Sequence, residues 1–175
     1  MTKTLCTLLS LLLSGAAAAA TPPCTEAPYR AFDFWIGTWD VHTTDGQLAG
    51  TNRITAEEQG CLLVERWRST TGVSGQSYNF YDTATGRWRQ LWVSPGAIID
   101  YAGNLDGDDM VLEGTITNRA GGTTAPFRGR WSPLATGQVR QHFEQWDDAT
   151  QRWEPWFTGI YSRAAAELPS AGQPD

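Results

Sequence analysis

The stretch Phe32-Asp33-Phe34-Trp35-Ile36-Gly37-Thr38-Trp39-Asp40-Val41 decides how the rest of the chain reads. It reads as the first strand of a small β-barrel. Gly37 and Trp39 stand two residues apart, which puts them on one face of a strand. A Gly inside a strand marks a bend or the close approach of another group. In a closed barrel that face looks inward, and the indole plugs one end.

Downstream, short strand-like runs alternate with turn residues. After the turn Thr43-Thr44-Asp45-Gly46 they cover Gly50 to Thr55, Cys61 to Ser69, Ser77 to Tyr81, Arg87 to Val93 and Ile98 to Asn104. Four more follow: Met110 to Ile116, Pro126 to Trp131, Gln138 to Trp146 and Trp153 to Arg163. Pro155 cannot donate to a ladder, so the last strand starts after it or bulges there. Tyr29 to Phe34 has room for a short helical turn before the first strand. No run has a helical period. About ten strands joined by turns predict an all-β fold, an antiparallel up-and-down β-barrel; a β-sandwich is the alternative. Closure removes the sheet edges, and a barrel of this size has room for a small ligand.

The opening stretch resembles the first-strand Gly-x-Trp signature of lipocalins and other calycins. With Gly60-Cys61-Leu62-Leu63-Val64-Glu65-Arg66-Trp67, Asn79-Phe80-Tyr81-Asp82, Val139-Arg140-Gln141-His142 and Gly159-Ile160-Tyr161-Ser162-Arg163, it resembles a bacterial family of calycin-like barrels of unestablished function. The resemblance covers Cys24 to Arg163. It implies a calycin-like barrel and a basic last-strand residue, here Arg163, packed on Trp39. The pattern of the haem-binding relatives is not seen, so no haem is implied.

Residues 1–20 read as a signal peptide, with Lys3 ahead of an apolar core from Leu5 to Leu13 and an Ala-rich cleavage region. Residues 21–30 read as an extended lead-in, 31–164 as the barrel domain and 165–175 as a flexible tail. This predicts a periplasmic or secreted protein with no membrane span. Thr21-Pro22-Pro23 lacks the small apolar character that precedes a lipid-modified Cys. Lys3 is the sole Lys; without it 12 Arg face 19 Asp and Glu, a formal charge of −7. Such a domain is a poor partner for nucleic acid or anionic membranes, and it has no Lys for Schiff-base chemistry. Cys24 and Cys61 remain after Cys6 leaves with the signal peptide, and they read as a disulfide or as two buried thiols.

Alternation separates the faces. Leu63, Glu65 and Trp67 oppose Leu62, Val64, Arg66 and Arg68; Trp88, Gln90 and Trp92 oppose Arg87, Arg89 and Leu91. Phe127 and Trp131 oppose Arg128 and Arg130, and Val139, Gln141 and Phe143 oppose Arg140, His142 and Glu144. The Arg face is taken as the solvent face. Phe157, Gly159, Tyr161 and Arg163 share the inner face of the last strand.

The inner face is therefore aromatic with a few polar groups. Glu65, Trp67, Gln90, Trp92, Gln141, Phe143 and Tyr161 are the candidate ligand-binding residues; Gly37, Trp39 and Arg163 are structural. A carboxylate among indoles has a raised pKa unless it is paired, and then orients a ligand or works as an acid or base. A plainer role for Glu65 is an ion pair with Arg, or a surface position if the faces are reversed. Gln90 and Gln141 either meet a polar ligand group or satisfy each other. His42 and His142 stand in no metal-spaced motif, and Asp106-Gly107-Asp108-Asp109 reads as a turn, so neither a metal nor a cofactor is expected. Three functions fit: binding of a small apolar or aromatic molecule, acid–base catalysis by Glu65 with Gln141 or Tyr161, or an interaction module with a filled barrel. Oligomeric state is left open.

Overall fold

In the computed structural model, which describes residues 22–165, ten antiparallel strands close into one barrel. The expected signal peptide and most of the expected tail lie outside the described residues. The strands are β1 (Gly37–His42), β2 (Leu48–Glu57), β3 (Leu62–Ser69), β4 (Ser74–Asp82), β5 (Arg87–Val93), β6 (Ala97–Asp106), β7 (Asp109–Asn118), β8 (Thr124–Pro133), β9 (Val139–Asp147) and β10 (Arg152–Arg163). Each pairs with its chain neighbours, and β1 closes on β10 with Trp39 opposite Arg163 and Val41 opposite Tyr161. The register breaks between Pro155 and Phe157, where the missing amide donor forces a bulge.

The first strand starts later than the sequence suggests. It opens at Gly37, and Asp33–Trp35 is a 3-10 turn. The extended lead-in also needs correcting, because Ala27–Arg30 is a helical turn, α1, with Pro28 in its opening positions, where a missing N–H costs nothing. The physical reason lies in the rings. The 3-10 turn brings Phe32 and Trp35 to one side, stacked with centroids 4.9 Å apart, and both insert into the barrel end. Phe32 meets Trp88 edge-on at 5.6 Å and Trp131 at 5.3 Å. Trp39, Leu63, Met110 and Leu112 complete this fully buried end. The plug is tied down by the Cys24–Cys61 disulfide and by Trp88 Nε1 donating to Pro28 O at 2.9 Å. That disulfide fits a non-cytoplasmic, oxidising compartment.

The outer face follows the Arg pattern. Arg89 pairs with Asp100, Arg66 with Glu57, Arg128 with Glu144, and Arg130 with Asp106 and Asp109. Val64 is the exception. It shares the outer face with Arg66, yet is buried between its register neighbours Thr55 and Tyr78. A short branched side chain beside the much larger Tyr78 loses its water without facing the core.

Gly37 and Arg163 explain the first-strand signature. Gly37 has φ +151°, and a Cβ there would collide with the Arg163 guanidinium. That guanidinium lies 3.8 Å over the Trp39 ring and donates to Ile36 O at 2.7 Å. Trp39 Nε1 donates to Trp35 O at 2.9 Å, so strand, plug and last residue of β10 lock together.

Candidate functional site

The plug fills one end of the barrel only. Above it a cavity of about 490 Å³ opens at the other end, between the β3–β4, β5–β6 and β7–β8 connections. Its walls are aromatic and aliphatic: Trp67, Trp92, Ile99, Ile116, Phe143 and Phe157, with the half-exposed Trp156 at the rim. Strand pleating puts these side chains inward at every second residue. Gly75 leaves the space beside β5 that the Trp92 indole occupies, since a Cβ there would overlap the ring.

The floor of the cavity is polar. Glu65, Gln90, Tyr101, Gln141 and Tyr161 all line it, and all are buried. They belong to a chain of side-chain hydrogen bonds that runs from strand to strand. Tyr101 Oη donates to Gln90 Oε1, and Gln90 Nε2 donates to Asn79 Oδ1. Asn79 Nδ2 donates to Ser77 Oγ at 2.9 Å, and Ser77 Oγ to Glu65 Oε2 at 2.6 Å. Asn52 Nδ2 donates to Glu65 Oε1 at 2.7 Å and to Tyr161 Oη at 3.1 Å. Tyr161 Oη donates to Gln141 Oε1 at 2.8 Å. Every link joins groups in a low-dielectric interior, where such bonds are strong, and Asn52 Oδ1 is left buried without a partner among the described residues.

Glu65 is the only ionisable carboxyl in this belt, and no cation stands against it among the described residues. Burial pushes its pKa up to about 7, against the opposing effect of the hydrogen bonds from Ser77 and Asn52. Tyr101 and Tyr161 have pKa values raised well above the ordinary phenol range, first by burial and then by the Glu65 charge. Both hydroxyls therefore stay protonated and neutral near pH 7.

Each residue expected at the site lies on the cavity: Glu65, Trp67, Gln90, Trp92, Gln141, Phe143 and Tyr161. The ion-pair and surface roles for Glu65 are set aside, since the residue is buried and hydrogen-bonded to neutral groups. Gln90 and Gln141 do not satisfy each other; each takes a different tyrosine. His142 lies outside the cavity with Nδ1 2.7 Å from Thr158 Oγ1, and its pKa is lowered, chiefly by burial. Reading the sequence missed Asn52, Ser77, Asn79 and Tyr101. The signal was present: each holds the inward parity of its strand, next to Ile54, Gly75 or Ile99. Trp156 had no such signal, because it reaches the cavity from within the bulge.

Fold and site together define a closed ten-stranded antiparallel barrel, plugged at one end and hollow at the other. No protein-family model and no curated protein matches the chain.

Proposed function

We infer that this protein is a secreted or periplasmic calycin-like barrel that binds a small, largely apolar or aromatic molecule. The observation that carries the reading is the one-ended cavity of about 490 Å³, with ring-lined walls over an ordered polar floor. Pockets of roughly 300–1,000 Å³ with apolar walls and a few convergent polar groups are the usual form of a small-molecule site. A barrel packed throughout would spend its rings on filling space, whereas Trp67 and Trp92 keep part of their surface open to the cavity. The acidic composition argues against nucleic acid as the partner, and the Cys24–Cys61 bridge supports export.

The test is native mass spectrometry on protein purified from its own host, followed by titration with the neutral apolar dye Nile red. A stoichiometric, solvent-extractable compound, or dye uptake that quenches tryptophan fluorescence, is the expected result. Protein that carries nothing and takes up no dye rejects the reading.

One observation favours a second reading, acid–base catalysis on the bound molecule. Glu65 exchanges its proton near neutral pH, where a general acid or base works best. Tyr161 and Gln141 stand beside it through Asn52. Loss of turnover in Glu65→Gln, for a compound the variant still binds, supports catalysis; turnover at the wild-type rate rejects it.

A further inference from the structure

The charge inventory of the cavity restricts what it accepts. Among the residues that line it, Glu65 is the single ionisable group of either sign apart from the two tyrosines, and no Arg or His reaches it. The twelve Arg lie elsewhere, several of them paired with carboxylates on the outer face. The barrel thus encloses a carboxyl group to which no described residue supplies a countercharge.

Hydrogen-bond direction adds a second, independent restriction. Glu65 receives one bond on each oxygen, which leaves acceptor capacity on a group able to take about four. Tyr101 spends its proton on Gln90, and Tyr161 spends its proton on Gln141. The Tyr101 oxygen is left to accept, and the Tyr161 oxygen, which already takes a bond from Asn52 Nδ2, keeps one further lone pair. Acceptor capacity is thus concentrated on Glu65, which can carry a full negative charge, and on the two phenol oxygens of the floor. The walls above are indole and phenyl rings, whose faces attract cations and repel anions.

We propose that the molecule taken by this barrel is a protonated amine on an apolar or aromatic body, its ammonium group on Glu65 and its body against the walls. The proposal rests on the small-molecule reading above and narrows it to a charge class. An ammonium brings three donors and no acceptor, which matches the carboxyl of Glu65 and the remaining phenol lone pairs. A carboxylic acid or fatty acid brings the wrong charge to it. An alcohol of the same shape fills the walls but leaves Glu65 without a countercharge.

The groups that face Glu65 are Asn52 on β2, Ser77 and Asn79 on β4, and, across the barrel, Tyr101 on β6 and Tyr161 on β10. The tyrosines stay neutral across the working range, so Glu65 alone sets the pH dependence. Amine binding strengthens as pH rises through the Glu65 transition, and the bound ammonium holds that transition lower than in the empty protein.

The experiment compares three probes of one shape on the full mature chain: 2-phenylethylamine, 2-phenylethanol and 3-phenylpropanoate. Each displaces Nile red, at about pH 8.5 and about pH 5.5, on either side of the transition expected from burial of the carboxyl. At the higher pH the amine binds about tenfold or more tighter than the alcohol, as a charge-assisted bond in a buried site should. The propanoate binds weakest. At the lower pH the amine's advantage shrinks. In Glu65→Gln the ratio of amine to alcohol affinity at the higher pH falls close to one. Equal affinities for amine and alcohol in the wild type, or tightest binding of the propanoate, overturn the charge assignment while the small-molecule reading stands. So does an amine preference that survives in Glu65→Gln. Failure of all three probes and of the dye overturns both. The wild-type comparison needs no variant, so the assignment stays falsifiable even if Glu65→Gln does not fold.

Discussion

Glu65 couples the cavity to the stability of the whole barrel. Its folded pKa of about 7 lies above its ordinary 4.5, so between those pH values the folded protein keeps a proton that the unfolded chain gives up. That contribution is fully present below about pH 4.5 and is lost as pH rises through about 7. In Glu65→Gln nothing ionises at this position. The wild type is therefore expected to lose about 3 kcal/mol relative to the variant between acid and mildly alkaline pH. Paired melts at about pH 4 and pH 8 read this difference directly, and parallel melting curves at both would contradict it. Gly37 is the other decisive single residue. Gly37→Ala forces an L side chain to φ +151° and pushes the Arg163 guanidinium off Trp39. Backbone strain and the lost stacking together are expected to cost about 2–4 kcal/mol. Urea unfolding measures the loss; an unchanged midpoint would show that the Arg163 clamp contributes nothing.

At the scale of elements, the plug explains why a barrel can be solid at one end and hollow at the other. The 3-10 turn Asp33–Trp35 delivers two large rings where ten strand interiors converge. There Phe32 packs on both Trp88 and Trp131, and Trp35 packs on Trp131. The disulfide holds the lead-in to the β2–β3 connection across a separation of 37 residues. In the chain-entropy account, closing a loop of that length is worth about 4 kcal/mol. Cys24→Ser with Cys61→Ser is expected to lower the melting temperature by an amount matching much of that, with the β-sheet circular dichroism of the folded state retained. A double variant as stable as the wild type would mean that the rings alone anchor the plug.

For the molecule as a whole, closure places the first and last strands side by side, so the seam between β1 and β10 joins residues more than a hundred positions apart. Such contacts are expected to form late in folding, because the loop entropy is lost before the contacts repay it. The two ends of the barrel should also differ in local stability. Amides around Leu63, Met110, Leu112 and Trp131, at the packed end, are expected to exchange slowest with solvent. Those in the connections around residues 70–73, 94–96 and 118–123, at the open end, exchange fastest and gain protection when a ligand enters. Hydrogen exchange followed by mass spectrometry with and without added 2-phenylethylamine tests both halves of this expectation. Uniform protection along each strand would place the packing elsewhere.

Turn chemistry and two-residue alternation carried the fold. Gly and Asp at the turns, Arg on every second residue of β3, β5 and β8, and rings between them are local properties, and local properties determine strands and faces. The same alternation put Glu65, Gln90 and Gln141 inside. What each of them meets there was settled by register and closure. Glu65 lies beside Ser77 and Asn52 because of how β2, β3 and β4 align, and Tyr161 reaches Asn52 because β1 separates their strands by a single step across the seam. Val64, buried on the outer face, and Trp156, turned into the cavity by a bulge, break the period for reasons held in their neighbours. Phe32 and Trp35 sit in a strand-like stretch of sequence, yet turn inward, because only the closed barrel supplies the ring-lined end that makes a 3-10 turn the better burial for them. Sequence by itself determined the strands and most of their inward faces, because alternation is local; the three-dimensional closure, which is not, decided the remaining burial, which hidden residues pack against one another and which leave a space.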